Sequence, residues 1–476
     1  MTTPASVRWA SFALLCACGS GCSRAIEPAA RRVVLVTCDT LRADHLGCYG
    51  YARPTSPRLD ELARESVLFE NQWSAAPLTV PSLSSLLTGR RPDEIGAASR
   101  TNMQRMPAQV RTLAEVVHDA GIDTAAFVSS SVLTRPPAKQ GDIGVAQGFA
   151  HYDDTLSSYE SNRPVRERRA EACTDAVLGW LGARKPSEDR FFLWVHYQDP
   201  HGPYTPPTAE RALFERPHES EVELPQGSDA SGYGQIPDYQ IQPGERRPGE
   251  YVDRYDAEIH SFDAQFGRLV DGLRARGWLD DTLLVFTADH GESLGEGDWW
   301  FCHGETLQPE LLHVPLVVRP PRVLRERMLG TSASRREPRL TSYLDVWPSV
   351  LEALGLPAHD NRGCSLLGAT LPEGRIAEQW LGAASRGRQW SAVTDGRWQL
   401  RLCAGEPAQL FDLARPSEPD LAQSEPGRVR ELLERHQLGL ARPDAKNLPG
   451  VPRALDDETR RDLRGFGYTE GAPAGH

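Results

Sequence analysis

Residues 33–39 read Val33-Val-Leu-Val-Thr-Cys38-Asp39. An uncharged run rich in β-branched side chains that stops at a carboxylate predicts a strand buried on both faces, delivering an acid into a loop. The pattern recurs along the chain. Residues 124–128 end at a serine cluster, 191–195 lead into His196, and 283–287 lead into Asp289-His290; 314–318 form another such run. Between them lie helical patterns at 56–65, 110–120, 167–181, 254–276 and 343–354. Strands alternating with helices predict a largely parallel sheet covered on both faces, an α/β/α sandwich. In such sheets ligands bind beyond the carboxyl ends of the strands, where Asp39, His196 and Asp289-His290 fall.

A second stretch, Pro77-Leu-Thr79-Val-Pro81-Ser-Leu83-Ser-Ser-Leu86-Leu87-Thr-Gly89-Arg90, predicts a short helix. Pro81 fits the first turn. Leu83, Leu86 and Leu87 give an i, i+3, i+4 stripe, and Gly89 is a natural stop. Thr79 sits at its mouth, where backbone N–H groups and the dipole favour an anion. The plain alternative is a threonine N-cap without chemistry. No clear strand precedes Thr79, although its loop can reach the same sheet edge.

The bulk properties describe a globular protein: 476 residues, 39% hydrophobic and 25% charged. A net charge of −12 argues against a nucleic-acid partner. It leaves an anionic substrate open, because a bound cation reverses the sign locally.

Residues 1–22 read as an export leader. Arg8 precedes a short apolar run and Cys18-Gly-Ser-Gly-Cys22, too short to span a bilayer. The leader resembles a bacterial lipoprotein signal; Leu15-Cys16-Ala17-Cys18 and Gly19-Ser20-Gly21-Cys22 are imperfect matches, and ordinary secretory cleavage is the alternative. The expectation is an exported protein, lipid-anchored at the envelope or periplasmic, that meets the membrane only through its anchor. The remaining six cysteines, from Cys38 to Cys403, have no zinc-type spacing.

Residues 206–250 interrupt the rhythm with Pro, Gly, Glu and Ser. This insertion in the large domain (31–370) follows His201 and is expected either to cover the site or to be a passive surface loop. Residues 371–440 read as a small α+β subdomain with short antiparallel strands at 376–380, 391–394, 398–403 and 409–412 and a helix at 427–438. A polar tail, 441–476, follows.

Asp39, Asp289, His290 and the Thr79 hydroxyl combine hard oxygen donors with one imidazole, a donor set for a divalent cation. At this point the chain resembles the sulfatase family of the alkaline phosphatase superfamily. Residues 34–50, from Val34 through Asp39-Thr-Leu-Arg42-Ala-Asp44 to Gly50, resemble the family's first metal motif. Pro81 with Leu86-Leu87-Thr88-Gly89-Arg90 matches its signature helix, and Thr287-Ala-Asp289-His290-Gly291-Glu292 its second metal motif. His303-Gly304, His313-Val314-Pro315-Leu316, Tyr343-Leu-Asp345 and Leu410-Phe-Asp412 follow in the family's order. The resemblance runs from about residue 33 to about 440. It implies an alkaline-phosphatase-like fold and a metal-dependent ester hydrolase.

Two departures alter the implied chemistry. Family sulfatases carry Cys or Ser, then Pro, then Arg, at the positions of Thr79, Pro81 and Leu83, and convert the first residue to formylglycine. Thr79 is not a substrate for that conversion and Leu83 removes the Arg, so no formylglycine is expected. Threonine as a direct nucleophile is typical of the superfamily's phosphodiesterases and phosphoethanolamine transferases. Thr40 also replaces the second aspartate of the first motif.

The implied assignments are Asp39, Thr79, Asp289 and His290 for one divalent ion (Ca2+, Zn2+ and Mn2+ are not distinguished) and Thr79, His201 and His303 for catalysis. Arg42, Arg90, His196 and Asp199 are assigned to substrate binding. A second ion using Asp199 with the histidines is the alternative. The expected activity is hydrolysis of phosphate diesters or monoesters on a small anionic ester or an ester-bearing glycan or lipid. Alternatives are a sulfatase working without formylglycine, a phosphoryl transferase and a non-catalytic binding lipoprotein.

Overall fold

The computed structural model describes residues 27–440, apart from 97–104, 136–142, 162–163, 186–188, 358, 360, 369, 382–388 and 417. The leader cysteines and the tail lie outside the described residues.

Strand Arg32–Cys38 lies at the centre of the main sheet, every residue buried. It pairs in parallel with Phe191–Tyr197 on one side and Thr282–Ala288 on the other, with Cys38 opposite both Tyr197 and Ala288. Beyond Phe191–Tyr197 come Asp123–Val128 and His151–Asp153. Beyond Thr282–Ala288 come His313–Arg319, Val67–Trp73 and Arg335–Glu337. His313–Arg319 runs antiparallel to both neighbours and is the exception in this run of strands. Central strands buried on both faces must be nearly all apolar, which is why their runs stand out in the sequence.

Val67–Trp73 went unseen there, because Glu70-Asn71-Gln72 interrupts it. It supplies the strand before Thr79: the chain leaves the sheet at Trp73 and enters helix Thr79–Thr88 six residues later. All ten residues of that helix are buried. Leu83, Leu86 and Leu87 are fully enclosed, and each contributes ~1.5–3 kcal/mol by burial. Helices Leu113–Asp119 and Val346–Ala353 pack beside it, and Pro57–Ala63, Ala170–Ala183 and Pro248–Ala275 form a second group. Phe262 and Phe266 of the 28-residue helix Pro248–Ala275 rest on Phe286 of the sheet.

The small subdomain is a four-stranded antiparallel sheet, Ala377–Leu381, Trp390–Thr394, Trp398–Cys403 and Gln409–Asp412, backed by helix Pro426–Leu440. Its own core joins Val393, Trp398, Leu400, Leu410 and Leu432. It reaches the large domain at the loop before Thr79, where Trp380 N–H donates to the Ala75 carbonyl at 2.9 Å. The Arg91 guanidinium lies over Trp380 and 3.3 Å from Glu378.

The insertion is more structured than its composition suggests. It contains helix Thr208–Phe214 and a 3-10 turn Asp238–Gln240. Part of it pairs with the segment before His303: Trp300 N–H donates to Gly232 O and Gly234 N–H to Asp298 O. Among the described residues no helix is long and apolar enough to cross a membrane, and the six described cysteines are free thiols.

Candidate active site and metal centre

The backbone ladder continues one residue past the central strands. Asp39 N–H donates to Tyr197 O at 2.9 Å, and Asp289 N–H donates to Cys38 O at 3.1 Å. The two carboxylates therefore leave adjacent strand ends side by side, both fully buried. One donor atom each from Asp39, Asp289 and His290 lies within 4.8 Å of the others, the spread expected around a cation with bonds of ~2–2.6 Å. Asp39 Oδ1 and Asp289 Oδ2 have no hydrogen-bond partner. Each faces His290 Nε2, at 3.7 and 3.6 Å. His290 Nδ1 lies 2.9 Å from Gly291 O, so Nδ1 carries the proton and Nε2 presents a lone pair to the same point.

Electrostatics agree. Burial pushes Asp39 up to about 7 and Asp289 up to about 6. For His290 burial opposes the charge, but Asp289 and Asp39 outweigh it and raise its pKa. Two buried carboxylates, each with one oxygen lacking a partner, around one imidazole lone pair fit a divalent cation.

Thr79 is the first residue of its helix; Leu78 is the N-cap and makes no side-chain cap bond. The hydroxyl is not a cap. Thr79 Oγ1 lies 3.3 Å from His290 Nε2 and 3.5 Å from Asp39 Oδ2. One turn on, Ser82 donates to the Asp289 carbonyl at 2.6 Å, and Ser74 donates to it at 2.5 Å. These hydroxyls lock the helix start to the strand end.

Thr40 takes φ +54°, a left-handed conformation that costs a β-branched residue ~1–3 kcal/mol. The turn aims its N–H at Asp289 Oδ1, 3.2 Å away. Tyr255 holds it by donating to the Thr40 carbonyl at 2.7 Å and accepting from Arg42 N–H at 3.0 Å.

A second group of residues stands on loops. His201 and His303 have ring centroids 5.1 Å apart, and His303 and His290 4.5 Å. His303 Nδ1 is 3.0 Å from Glu292 Oε1. Tyr204 donates to Glu292 Oε2 at 3.1 Å. Burial pushes Glu292 up to about 8, with His290 and the hydrogen bond from Tyr204 opposing. Glu292 was visible in the second motif, but nothing in the sequence showed that it faces His303.

Of the four expected substrate contacts, Arg42, Arg90 and Asp199 stand elsewhere, and His196 lies against the metal-ligand group. The Arg42 guanidinium is committed to Asp44, Glu296 and the Glu292 carbonyl, so it braces the second motif and does not present a free fork. Arg90 follows Gly89 at the far end of the helix from Thr79, about 15 Å away by helical rise, out of reach of an ester on Thr79. Asp199 accepts from Ala170 N–H at 2.9 Å and faces Arg169 at 3.8 Å. It is held at the start of helix Ala170–Ala183 and does not belong to the donor group formed by Asp39, Asp289 and His290. His196 lies in the strand beside Asp39, with Nδ1 2.9 Å from Thr37 Oγ1. Trp194 donates to the same oxygen at 3.0 Å, and the other ring nitrogen of His196 is Nε2. That nitrogen is 3.6 Å from Asp39 Oδ2, a contact longer than a hydrogen bond. Burial lowers His196 to about 4 and keeps it neutral.

The model of the Sulfatase family matches residues 31–356. The chain is 27% identical to human iduronate 2-sulfatase over 68% of its own length and 65% of that protein's, so it spans just under two thirds of that relative. It is 26% identical to choline-sulfatase of Rhizobium meliloti, over 79% of each. Its fold matches the phosphonate monoester hydrolase of Agrobacterium radiobacter with a TM-score of 0.68 and 21% identity, covering 88% of this chain and 96% of that one.

Proposed function

The chain belongs to the sulfatase family and is a hydrolase of the alkaline phosphatase superfamily; from that premise we propose that Thr79 is its nucleophile and that phosphate esters, diesters first, are its substrates. The observation that carries this reading is the position of Thr79 Oγ1 beside His290 Nε2 and Asp39 Oδ2, at a helix start it does not cap. A divalent cation held by Asp39, Asp289 and His290 would supply Lewis-acid chemistry, lowering the pKa of a neighbouring hydroxyl and offsetting charge on the ester. Thr79 Oγ1, having given its proton to solvent, attacks phosphorus in line with the leaving oxygen, and it regains a proton from solvent once water has freed it. The new O–P bond forms as the bond to the leaving group breaks, and the helix dipole supports the equatorial oxygens. His201 and His303 hold the ester and return a proton to the leaving oxygen. Water attacking the same phosphorus frees Thr79.

Thr79 bears one oxygen. It cannot expel the bound group by collapsing to an aldehyde, so the second step is attack by water on the central atom. This favours phosphorus over sulfur as the centre. The second reading, a sulfatase without formylglycine, is favoured by the sequence relatives, whose names place them on iduronate and choline sulfates. By analogy with them the substrate is a small or glycan-borne anionic ester. The leader-like composition of residues 1–22 supports export, with the protein lipid-anchored at the envelope or periplasmic.

The test is a panel of aryl phosphate diesters, phosphate monoesters and sulfates with a matched leaving group, turned over by wild type, Thr79→Ala and Thr79→Ser. Thr79→Ala is expected to lose at least ~10⁴-fold in kcat and Thr79→Ser less than about 10-fold. Near-wild-type turnover by the alanine variant removes Thr79 from the chemistry. A clear kcat/KM preference for sulfate selects the second reading.

A further inference from the structure

The geometry points to Glu292 as the residue that positions His303 for proton transfer to the leaving group, with Tyr204 holding Glu292 in place. This rests on the nucleophilic reading of Thr79 given above.

Glu292 is wholly buried, three residues past Asp289, yet it makes no contact in the donor set of the metal centre. Its two oxygens turn the other way. Oε1 meets His303 Nδ1 at 3.0 Å, and Oε2 accepts from Tyr204 at 3.1 Å. Tyr204 is itself fully enclosed, lying edge-on to Tyr255 at 5.4 Å. The Glu292 peptide is fixed as well, because Arg42 donates to its carbonyl at 3.1 Å. A side chain held at both oxygens and at its backbone has one orientation to offer.

The chain around His303 is bent to meet it. Phe301 takes φ +50° and Gly304 φ +79°. A phenylalanine in that region is strained and must be held by its surroundings. Phe301 stacks on Tyr251 at 4.6 Å, and its carbonyl accepts from Tyr239 at 2.9 Å and Gln240 at 3.2 Å. Tyr239 and Gln240 belong to the insertion, so part of that segment supports His303 by gripping the chain two residues before it.

With Nδ1 pinned to Glu292, the nitrogen that exchanges protons is Nε2, on the other side of the ring. In the first half-reaction the Nε2 proton passes to the leaving oxygen as its bond to phosphorus breaks. In the second, Nε2 takes a proton from the attacking water as the Thr79 ester breaks. The proton inventory of His303 closes over the cycle, and Glu292 keeps the ring on the correct tautomer and axis throughout.

The experiment measures kcat/KM for a series of phosphate diesters whose leaving groups run from nitrophenolate to simple alkoxide, with the cation-loaded full chain. A poor leaving group needs the proton and a good one does not. Glu292→Gln is expected to cost about 3-fold on the nitrophenyl ester and about 100-fold on the alkyl ester, steepening the leaving-group dependence. Tyr204→Phe should steepen it less, and it keeps the proposal testable if Glu292→Gln folds poorly. In the background of His303→Ala, Glu292→Gln should add less than about 3-fold on any ester. An equal loss across the whole series means that Glu292 serves only the fold and overturns the proposal, as does full additivity with His303→Ala. Failure of the Thr79 reading shows differently: Thr79→Ala would then stay active on every ester in the series, whatever Glu292→Gln does.

Discussion

The two halves of the site are built in different ways. Asp39 and Asp289 prolong a three-strand parallel ladder, and Thr79 is fastened to it through Ser82 and Ser74. His201 and His303 stand on loops, and their placement depends on side chains: Glu292, Tyr204, and Tyr239 with Gln240 from the insertion. Behind the loops, helix Pro248–Ala275 contributes Arg254, donating to Tyr204 O at 3.1 Å, and Glu258, accepting from Thr205 N–H at 2.8 Å. The half that must hold like charges together is rooted in backbone hydrogen bonds, which do not depend on which side chains project from them. The loop half rests on side-chain contacts that substitution can retune.

Three changes probe it. Asp289→Asn has the largest expected effect: a loss of at least ~10³-fold in kcat, matched by a chelator acting on wild type. Because the ladder holds the strand end, the cation-free variant should melt no lower than cation-free wild type, in which the buried Asp289 carboxylate has one oxygen without a hydrogen-bond partner. A marked drop in melting temperature would mean that the side chain, and not the ladder, maintains this half.

Next comes Asp263, on the helix that backs the loops. Its carboxyl accepts from Arg58 N–H at 2.7 Å and Leu59 N–H at 2.8 Å. Burial nevertheless pushes it up to about 7, the two N–H groups opposing. The unfolded chain loses this proton near 4, so between about 4 and 7 the folded state holds a proton the unfolded state lacks. Stability from this group therefore falls as pH rises through that window. Asp263→Asn should flatten the dependence of the urea midpoint between pH 5 and 7. It should also cost ~1–3 kcal/mol at pH 5, since one backbone donor loses its acceptor. An unchanged slope would exclude Asp263 as the titrating group.

The smallest effect is expected at Thr40. Thr40→Gly removes the cost of φ +54° and a buried hydroxyl without a partner, offset by the extra freedom of glycine when unfolded. The net expectation is a gain of about 1 kcal/mol in chemical denaturation. A loss would show that the backbone-rooted half depends on the Thr40 side chain after all.

The strand-rooted half was legible in the sequence for the same reason that it is rigid. Buried parallel strands must be apolar, so 33–38 and 283–287 announced themselves, and the acids after them followed. Val67–Trp73 escaped notice because its ladder tolerates Glu70, Asn71 and the buried Gln72. The start of the long helix was placed at residue 254, six residues late, because its first turns are polar and Pro248 sets the beginning. The loop half was readable as residue types and unreadable as partners. Arg42 and Asp199 have the chemistry of anion and metal ligands, but Asp44, Glu296 and the amide of Ala170 claim them. Those choices are made across space, between residues up to 254 positions apart, where one sequence carries no pattern.

The bond from Trp380 N–H to the Ala75 carbonyl has a consequence for the order in which the protein is made. Asp39, Thr79, Asp289 and His290 have all been synthesised before strand Ala377–Leu381 exists. At ~5–20 residues per second, a nascent chain therefore carries Asp39, Thr79, Asp289 and His290 before it carries the strand that ties down the loop leading to Thr79. A product ending before residue 377 leaves Arg91 without Glu378 and Trp380 and the Ala75 carbonyl without its donor. Thr79 is thus synthesised well before Trp380, whose N–H holds the loop that leads to it.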